Sequence, residues 1–499
     1  MAWEVLRAVD ERGAYANLLL PSMLAGSGLS TRDRGFVTEL AYGALRAQGT
    51  LDGMLDTATS RPVAGIDPPL RDALRLGAYQ LLRTRVPARA AVATTVDLVR
   101  ATSGERPVRF ANAVLRRVAA RVSETGGDLA QLLDAPPFAT DPIGHLTAVC
   151  THPRWIVEAV AEALDGDLDE TRAALVANDI RPSTHLVARP GRITRDDLLA
   201  ECVEAGLDAH PGPWSPYAVR LDGGDPGRLP SVASGAAAVQ DEGSQLVALA
   251  LAATPTVGPD RGLTVDLCAG PGGKAALLAG LLAGGSDGAG LLALEPRMTR
   301  AGLVARSLEG MAGAWVARAD GRAAPLAPAS ADRVLVDVPC SGLGALRRRP
   351  EARWRRTPED VAALVPLQRA LLVAAADLVR PGGVVAYATC SPHPAETSEV
   401  VRQVAGQRPE LSLLDATRVL TDVSGSDVSG SDVSGGDVSG GDAPGSGVTG
   451  AGNGTDSGAE TGVGVGTGLG LGDGPFGQLW PHRHGTDAMF VALLRVGPR

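Results

Sequence analysis

From about residue 241 onward, the sequence alternates between short apolar runs, glycine-containing turns and helical segments, and this alternation narrows the possible folds sharply. The apolar runs stand at 264–267, 291–295, 315–320, 333–338 and 384–389. Continuous apolar strands that alternate with helices predict a parallel sheet with helices on both faces. Ligands of such sheets bind beyond the carboxyl ends of the strands, so the turns after these runs hold the candidate functional residues.

The two segments before this region have different patterns. Residues 1–135 repeat apolar positions at three- and four-residue spacing, which predicts an all-α bundle. Over 1–134 there are 17 arginines against 14 acidic residues, a bias that suits RNA or protein binding and equally a solvated bundle. Residues 136–240 start with a proline-rich linker and mix predicted strands with helices, which predicts a small α+β linker domain. The third domain then spans 241–499.

The net charge of −9 argues against a nucleic-acid partner only if it is spread over the whole surface. Eight acidic residues and no lysine or arginine lie within 421–475, so the rest of the chain carries only −1. This stretch repeats the unit Asp-Val-Ser-Gly-Ser or Asp-Val-Ser-Gly-Gly and has almost no aromatic residues, so it cannot bury enough apolar surface to offset its chain entropy. We expect a low-complexity, disordered insertion, after which the apolar run within 484–496 completes the sheet.

Five cysteines occur without CxxC spacing, which favours neither a zinc module nor a disulfide framework and fits a reducing cytoplasm. The first residues show no leader pattern, and no apolar run reaches 18 residues. We therefore expect a soluble cytoplasmic protein with neither a metal site nor a membrane partner.

The run from Asp266 to Lys274 reads Asp-Leu-Cys-Ala-Gly-Pro-Gly-Gly-Lys and follows a predicted buried strand. Its glycines allow close approach of a ligand to the backbone, although the spacing matches neither a P-loop nor GxGxxG. Lys274 is the only lysine of the chain. Acidic residues also end the next three predicted strands, at Glu295, Asp320 and Asp337. One such acid is often only a turn former, but four at one sheet edge favour a nucleotide-type binding site.

Two cysteines stand in turns at the same predicted edge, Cys340 in Pro-Cys-Ser-Gly and Cys390 in Thr-Cys-Ser-Pro. Cys150 and Cys202 fit the ordinary role of small buried apolar residues, but turn cysteines fit it poorly. A thiol ionises near neutral pH only with help from nearby cations, and six arginines lie between 347 and 356. This run is either a solvated face or, with its tryptophan, a contact to an RNA backbone. The candidate RNA-contacting residues are Arg347, Arg348, Arg349, Arg353, Trp354, Arg355 and Arg356.

Three of these segments together resemble the signature motifs of the Sun/Fmu-type RNA cytosine-5 methyltransferases: DLCAGPGGK at 266–274, DVPCSG at 337–342 and ATCSPHPAE at 388–396. The segments 77–92 and 112–117 are similar to the NusB-like RNA-binding domain of bacterial 16S rRNA members, and 239–246 also resembles the family. The resemblance implies an all-α NusB-like domain, a small α+β domain and a Rossmann-like methyltransferase domain. It also implies that S-adenosylmethionine binds to Cys268, Ala269, Gly270, Pro271, Gly272, Gly273, Lys274, Glu295, Asp320 and Asp337.

The family's catalytic roles carry over to three residues. The resemblance implies that Cys390 is the nucleophile that adds to cytosine, that Cys340 assists release of the product and that Asp337 contacts the base edge. The implied substrate is RNA, 16S rRNA or the small ribosomal subunit, modified by a monomeric enzyme. Two other functions are weighed against this one: a ribosome-assembly factor with a degenerate enzyme domain, and a nicotinamide-dependent oxidoreductase, which the absence of GxGxxG makes a poor match.

Overall fold

The computed structural model describes residues 1–283, 290–425, 469–472 and 474–498. Within them the chain forms an all-α N-terminal bundle, a small α+β unit and a C-terminal Rossmann-like domain, which confirms the predicted fold class. Most of the predicted insertion, residues 426–468 and 473, lies outside the described residues.

The N-terminal helical domain buries one apolar core in which Leu51 and Leu115 have no exposed surface. Its buried charges are paired: Asp72 accepts hydrogen bonds from Arg7 at 2.8 Å and from Arg75 at 3.1 Å. The Arg7–Asp72 pair ties the first helix to the fifth. The helices are α1 Ala2–Arg12, α2 Ala16–Ala25, α3 Thr31–Arg46, α4 Gln48–Ala58, α5 Pro68–Arg83, α6 Ala88–Ser103, α7 Val108–Thr125 and α8 Leu129–Leu132, with a 3-10 helix at Val63–Gly65.

Three helices connect this domain to the small sheet: α9 Pro142–Val149, α10 Arg154–Ala163 and α11 Leu168–Ala177. The prediction that Pro142 belongs to a linker is wrong. Pro142 is the first residue of α9, and Asp141 caps that helix by accepting a hydrogen bond from the Gly144 amide at 2.8 Å. Proline is favoured at this position because the helix leaves its amide without a partner there.

The small sheet is antiparallel, with strand order β2-β3-β1-β4 in the described chain. Its strands and helices are β1 Thr184–Ala188, α12 Arg195–Glu204, β2 Ala209–Pro211, β3 Ala218–Leu221, α13 Pro230–Ala233 and β4 Ala237–Val239, with a 3-10 helix at Pro226–Arg228. The apolar faces of β1 and β3 pack on α12 through Leu186, Leu221 and Leu198, which are almost fully buried.

The C-terminal domain alternates strands and helices as predicted. Its elements are α14 Glu242–Ala253, β5 Leu263–Asp266, α15 Gly273–Leu282, β6 Gly290–Leu294, α16 Met298–Ser307, β7 Ala314–Ala317, β8 Ala331–Asp337, α17 Ala352–Arg355, α18 Pro358–Leu378, β9 Val379–Thr389, α19 Ser398–Gln407, β10 Leu411–Leu414, α20 Ala416–Ser424, β11 Phe476–Gln478, α21 Pro481–His484 and β12 Phe490–Val496. Short 3-10 helices lie at Gly321–Ala323, Leu343–Ala345 and Pro394–Glu396.

The large sheet has the order β10-β12-β9-β8-β5-β6-β7 in the described chain, and the strands from β9 to β7 are parallel. The sheet is therefore mixed rather than wholly parallel. Strand β12 completes it as predicted but runs antiparallel to β9, and β10 and β11 pair with successive halves of the outer edge of β12. Both faces are covered by helices, with separate apolar cores on each side.

Helix α18 is well specified by its sequence. Thr357 and Asp360 form a reciprocal capping box, and Pro358 is the first helical residue, as predicted. Among the described residues this is the one helix long and apolar enough to cross a membrane by length and composition. Its buried face packs on β8, β9 and α19, which is the packing of a core helix.

The low-complexity segment starts later than predicted. Residues 421–424 are the last turn of α20, where Val423 is buried, and Leu469 on the other side is also buried. The Leu469 carbonyl accepts a hydrogen bond from the His484 ring at 2.8 Å. Apolar side chains at both ends thus belong to the folded domain, which corrects the boundaries of 421–475.

Candidate active site

The candidate site lies where the order of the large sheet reverses. Strand β5 pairs with β6 on one side and with β8 on the other, so the turns after β5 and β8 diverge and leave a crevice between them. In open parallel sheets this is the place where ligands bind. The turn after β5 leads to Lys274, the turn after β8 holds Cys340, and the turn after β9 holds Cys390.

The turn after β5 has glycines where side chains would collide. A Cβ at Gly270 would come within 2.2 Å of a carboxylate oxygen of Glu295. Gly272 has a φ of 113° and lies against Ser307, so a larger residue would be strained there. The Glu295 carboxylate is almost fully buried and accepts a hydrogen bond from the Arg297 amide at 3.0 Å. This loop and the carboxylate form one wall of the crevice, and cofactor binding by them stays a prediction.

Lys274 forms an ion pair at the floor of the crevice. Its Nζ lies 2.9 Å from Oδ2 of Asp337. Burial opposes the charge of Lys274, but the attraction of Asp337 outweighs it, so the pKa of Lys274 stays above its usual value. The neighbouring Asp266 is buried, and burial together with the charge of Asp337 raises the pKa of Asp266 to about 7. The only lysine of the chain therefore forms an ion pair with Asp337, and Asp266 is the neighbouring carboxyl group.

The two turn cysteines face each other across this floor. The Sγ atoms of Cys340 and Cys390 are 3.4 Å apart, and both residues are partly exposed. The hydrogen bond that Cys340 donates lowers the pKa of Cys390, with further help from Lys274 and Arg349, although burial opposes it. The same hydrogen bond and burial raise the pKa of Cys340 well above its usual value. The arrangement thus favours a thiolate at Cys390 and a thiol at Cys340.

Sequence reasoning missed Glu396, which fixes both cysteine loops. Its fully buried carboxylate accepts hydrogen bonds from the Ser341 amide at 2.7 Å and from the Ser391 hydroxyl at 2.6 Å. It also accepts from the Ser341 hydroxyl and from Gln368. Ser341 directly follows Cys340, and Ser391 directly follows Cys390. The signal was present, since Glu396 is the last residue of the third motif.

Gln240 was also missed as an individual residue. It is buried beside Gly273 at the start of α15, and neither its amide oxygen nor its amide nitrogen has a hydrogen-bond partner in the described structure. Buried amides are normally satisfied, so this one is available to a ligand. Together with the glycine turn and Glu295, it makes the crevice fit a polar nucleotide-like cofactor.

Three other predicted cofactor residues have their own surroundings. The Cys268 amide donates a hydrogen bond to Asp266 at 3.2 Å, and burial raises the pKa of the Cys268 thiol well above its usual value. Asp320 follows β7 and is partly exposed, where it forms an ion pair with Arg322 of the same turn at 2.6 Å. The Arg322 hydrogen bond lowers the pKa of Asp320. Asp320 therefore lies at the predicted edge, but within the protein it contacts its own turn.

Most of the arginine-rich segment faces inward, which corrects the prediction that Arg347, Arg348 and Arg353 contact RNA. Their side chains are 6%, 24% and 0% exposed. Arg347 and Arg348 both pair with Asp487, and Arg348 also pairs with Asp241 at 2.7 Å. Buried cations need such partners, so these groups hold the protein together.

Arg353 joins the segment to the helical domain. Its Nη1 donates to Oδ1 of Asp179 at 2.8 Å and to the carbonyls of Arg46 and Thr151 at 3.2 and 3.3 Å. Sequence alone could not separate this arginine from its exposed neighbours, because its acceptors lie more than 170 residues away along the chain.

The remaining candidates divide between packing and exposure. Arg355 donates to backbone carbonyls after α1, including that of Gly13 at 3.1 Å, and Trp354 packs so closely on Gly49 that a Cβ there would collide with its ring. Arg349 is exposed and lies over the Tyr15 ring. Arg356 donates to a backbone carbonyl beside Cys340 and keeps some exposed surface. Arg355 is also exposed and Trp354 is partly exposed, so RNA contact stays a prediction for Arg349, Trp354, Arg355 and Arg356.

Three family models match successive parts of the chain. The NusB family matches residues 1–120, the ferredoxin-like domain of RsmF/B-like methyltransferases matches 152–226, and the 16S rRNA methyltransferase RsmB/F family matches 258–495. These three matches follow the order of the helical domain, the small sheet and the large sheet.

Known proteins agree with these models along most of their length. A putative methyltransferase of Mycobacterium tuberculosis is 48% identical over 495 residues, covering 99% of this chain and 95% of that protein. A probable ribosomal RNA small subunit methyltransferase B of Bacillus subtilis is 30% identical over 419 residues, covering 82% and 88%. The crystal structure of PH0851 has the same fold, with a TM-score of 0.68 at 21% identity and coverage of 95% and 93%. The chain therefore belongs to the RsmB/F family of S-adenosylmethionine-dependent rRNA methyltransferases.

Proposed function

We propose that this protein methylates C5 of a cytosine in 16S rRNA through a covalent bond between Cys390 and C6 of the base. The observation that carries the proposal is the pair of thiols, with Sγ atoms 3.4 Å apart at the crevice between the turns after β5 and β8. One thiol is needed to activate the base and a second is useful to free it. A methyltransferase that acts on a more nucleophilic atom would need neither.

The chemistry explains why a thiolate is required. C5 of cytosine is too weak a nucleophile to take a methyl group unaided. Addition of the Cys390 sulfur to C6 pushes electron density to C5, so one difficult step becomes two easier ones. The hydrogen bond from Cys340 and the charge of Lys274 lower the pKa of Cys390, which supplies the thiolate that this addition needs.

The ion pair between Lys274 and Asp337 has a second role, in binding the target base. The carboxylate of Asp337, held by Lys274 at 2.9 Å, is available to a base edge, where it would accept a hydrogen bond from the 4-amino group or from a protonated N3. Such a contact stabilises the charge that develops in the adduct. The target base must leave any stack to reach this floor.

S-adenosylmethionine supplies an electrophilic methyl group when it is bound. The residues suited to hold it are the turn from Cys268 to Lys274, Glu295 and Asp320, with Gln240 offering an unsatisfied amide. Glu295 stands where the family more commonly has aspartate, and its carboxylate suits ribose hydroxyls equally well.

Release reverses the first step. Once a base has removed the C5 proton, the electrons of that bond restore the ring double bond and the C6–sulfur bond breaks, which returns Cys390 as a thiolate. Cys340 remains protonated because its pKa is raised, and its thiol is close enough to donate a hydrogen bond to the departing sulfur. Cys340 thereby promotes release of the product.

Two variants test this proposal. Cys390→Ala is expected to abolish methyl transfer to cytosine while binding of S-adenosylmethionine by calorimetry persists. Cys340→Ala is expected to leave Cys390 bound to RNA, which a denaturing gel would show as a slowly migrating adduct. Full activity of Cys390→Ala would refute the covalent route, and absence of cofactor binding by the wild type would favour an assembly factor instead.

The substrate and setting are part of the same proposal. We infer that the enzyme acts on 16S rRNA, which the RsmB/F family match and the names of its relatives support. We also propose that it is cytoplasmic and monomeric. Bisulfite sequencing of total RNA from a deletion strain identifies the cytosine, and size-exclusion chromatography with light scattering gives the oligomeric state. Loss of a cytosine modification in tRNA alone would refute the 16S assignment.

A further inference from the structure

A cavity of about 640 Å³ lies between the helical domain and the connecting helices α9 and α11. Its walls come from α3, α5, the start of α8, α9 and α11, and none of the residues assigned above to the thiols or to the cofactor lines it. We call it the joint cavity. Its size is within the range of sites that hold small organic molecules.

Four arginines line the joint cavity: Arg46, Arg83, Arg172 and Arg181. Across the described part of the chain, no ion pair or side-chain hydrogen bond to any of these four guanidinium groups occurs, which sets them apart from Arg347, Arg348 and Arg353. Arg83, Arg172 and Arg181 are exposed, and exposed arginines are often unpaired. Arg46 is the exception that points to a ligand.

Arg46 is only 8% exposed and lies at the end of α3. Its guanidinium approaches the Tyr42 ring at 6.0 Å, and among the described residues it has no carboxylate partner. Burial lowers the pKa of Arg46, and nearby acidic groups only partly offset this. Buried charges in proteins are almost always paired, so this one is suited to a negative charge that comes from outside the chain.

The acidic residues of the cavity are already engaged. Glu39 accepts a hydrogen bond from the Tyr79 hydroxyl, and Asp179 accepts one from Arg353 at 2.8 Å. Asp128 caps α8 by accepting from the Ala130 amide at 2.9 Å. The four arginines outnumber the three carboxylates that line the cavity, and one of these, Asp179, is already paired with Arg353. The cavity has spare positive charge.

The cavity also offers apolar surface. Val176 and Ile180 line it and are 46% and 47% exposed. Proteins hold single-stranded nucleic acid in positively charged grooves that follow the phosphates, with the bases packed on side chains beside them.

We propose that the joint cavity binds a short single-stranded stretch of the RNA substrate, away from the cytosine that is methylated. Its phosphates contact the four arginines, and a base lies against Val176 and Ile180. The inference rests on the proposed function, because it assumes an RNA substrate. It goes further in naming where the helical domain holds that RNA.

The cavity is connected to the segment that follows Cys340. Arg353 donates both to Asp179, which lines the cavity, and to the carbonyl of Arg46. RNA bound in the cavity therefore contacts Arg46, whose backbone carbonyl helps to anchor the segment 347–356. The proposed RNA site is therefore connected through Arg353 to the segment that follows the Cys340 loop.

The first test uses an in vitro transcript of 16S rRNA and the double variant Arg172→Ala, Arg181→Ala, whose side chains are exposed and not needed for folding. Loss of two phosphate contacts is expected to reduce the slope of log Kd against log salt concentration by about 1.4. The KM for RNA should rise roughly tenfold with kcat unchanged, since the contacts are made outside the thiol site. Arg32→Ala, on the same helix as Arg46 but outside the cavity, is the matched control and should change neither quantity.

The second test is direct. Photoreactive p-benzoylphenylalanine in place of Val176 is expected to crosslink to the transcript, whereas the same group in place of Val203, an apolar residue 61% exposed on α12, is not. An unchanged salt slope in the double variant, or equal crosslinking at both positions, would overturn the inference. A protein that crosslinks at position 176 but does not methylate cytosine would refute only the proposed function, and methylation with an unchanged slope would refute only the cavity site.

Discussion

Replacement of Glu396 by alanine should cost both stability and catalytic rate, and the two losses are separable. The carboxylate accepts from the Ser341 amide, from the hydroxyls of Ser341 and Ser391, and from Gln368. In Glu396→Ala, the two hydroxyls still have each other at 3.2 Å and Gln368 still donates to the Pro339 carbonyl at 2.9 Å. The Ser341 amide is left buried without an acceptor.

The loss of stability follows from the hydrogen bonds that Glu396→Ala removes. One orphaned buried amide costs about 1–3 kcal/mol, and the lost hydrogen bonds and packing of a side chain without exposed surface add a similar amount. We expect Glu396→Ala to lower the free energy of unfolding by about 3–4 kcal/mol. Glu396→Gln keeps the shape, its oxygen can accept from the amide, and its NH2 group can donate to a rotated serine hydroxyl, so it should lose only about 1 kcal/mol. Urea denaturation followed by circular dichroism measures both.

The loss of catalytic rate in Glu396→Ala measures how far Glu396 positions the two cysteines. Without Glu396 the loops of Cys340 and Cys390 lose their common anchor, and misplacement of a reacting group by about 1 Å costs roughly 100-fold in rate. We expect kcat of Glu396→Ala to fall by about that factor while the KM for S-adenosylmethionine is unchanged, because Glu396 does not contact the cofactor turn. Glu396→Gln should keep most of the rate. If Glu396→Ala retains wild-type kcat, or if the glutamine variant loses as much as the alanine variant, the carboxylate does not act as a positioning residue.

Three further predictions follow from the charges. The pKa of Asp266 is about 7 in the folded chain and about 4 in the unfolded chain, so the folded state binds the proton more tightly and the free energy of unfolding falls as pH rises through this interval. The asparagine of Asp266→Asn does not titrate, so from pH 4 to pH 8 the free energy of unfolding of this variant should rise by up to about 4 kcal/mol relative to wild type, as measured by urea titration at each pH. Lys274→Met should raise the pKa of Cys390 and slow its alkylation by iodoacetamide at pH 8, and Lys274→Arg should not, whereas equal rates would remove Lys274 from thiol activation. Arg353→Met should lower the free energy of unfolding by about 3–5 kcal/mol and leave the salt dependence of RNA binding unchanged, because Arg353 is buried against Asp179. A slope of log Kd against log salt concentration that falls by about 0.7 would instead show that Arg353 contacts an RNA phosphate.

The parts of the fold that sequence predicted well are those whose signal is local. Continuous apolar runs marked β5 to β9, and Thr357, Pro358 and Asp360 marked the start of α18, because a cap is made by neighbours in sequence. Strands β10 and β11 were not predicted. Each is short and is held only by pairing with β12, far along the chain from β10, so no local pattern specifies it.

The candidate site shows the same division. Turn cysteines and strand-end carboxylates were predicted because parallel strands bring their carboxyl ends to one edge whatever the details of packing. Glu396 and Gln240 were missed because a buried acceptor and an unsatisfied amide are defined by their surroundings rather than by residue type. The same reason explains Arg353, which resembles its exposed neighbours in sequence and differs from them only in where its acceptors lie.

The loop that holds Cys340 is therefore anchored from two sides, one within the methyltransferase domain and one on the helical domain. From inside the sheet, Glu396 fixes the residue after each cysteine. From outside, Arg348 holds the following segment against the C-terminal strands, and Arg353 and Arg355 hold it against the helical domain. A segment tied at both ends cannot move without disturbing one anchor, so the helical domain helps to fix the loop of Cys340, besides forming part of the proposed RNA site. Removal of the helical domain should accordingly impair methyl transfer even to a short RNA that binds only at the thiols.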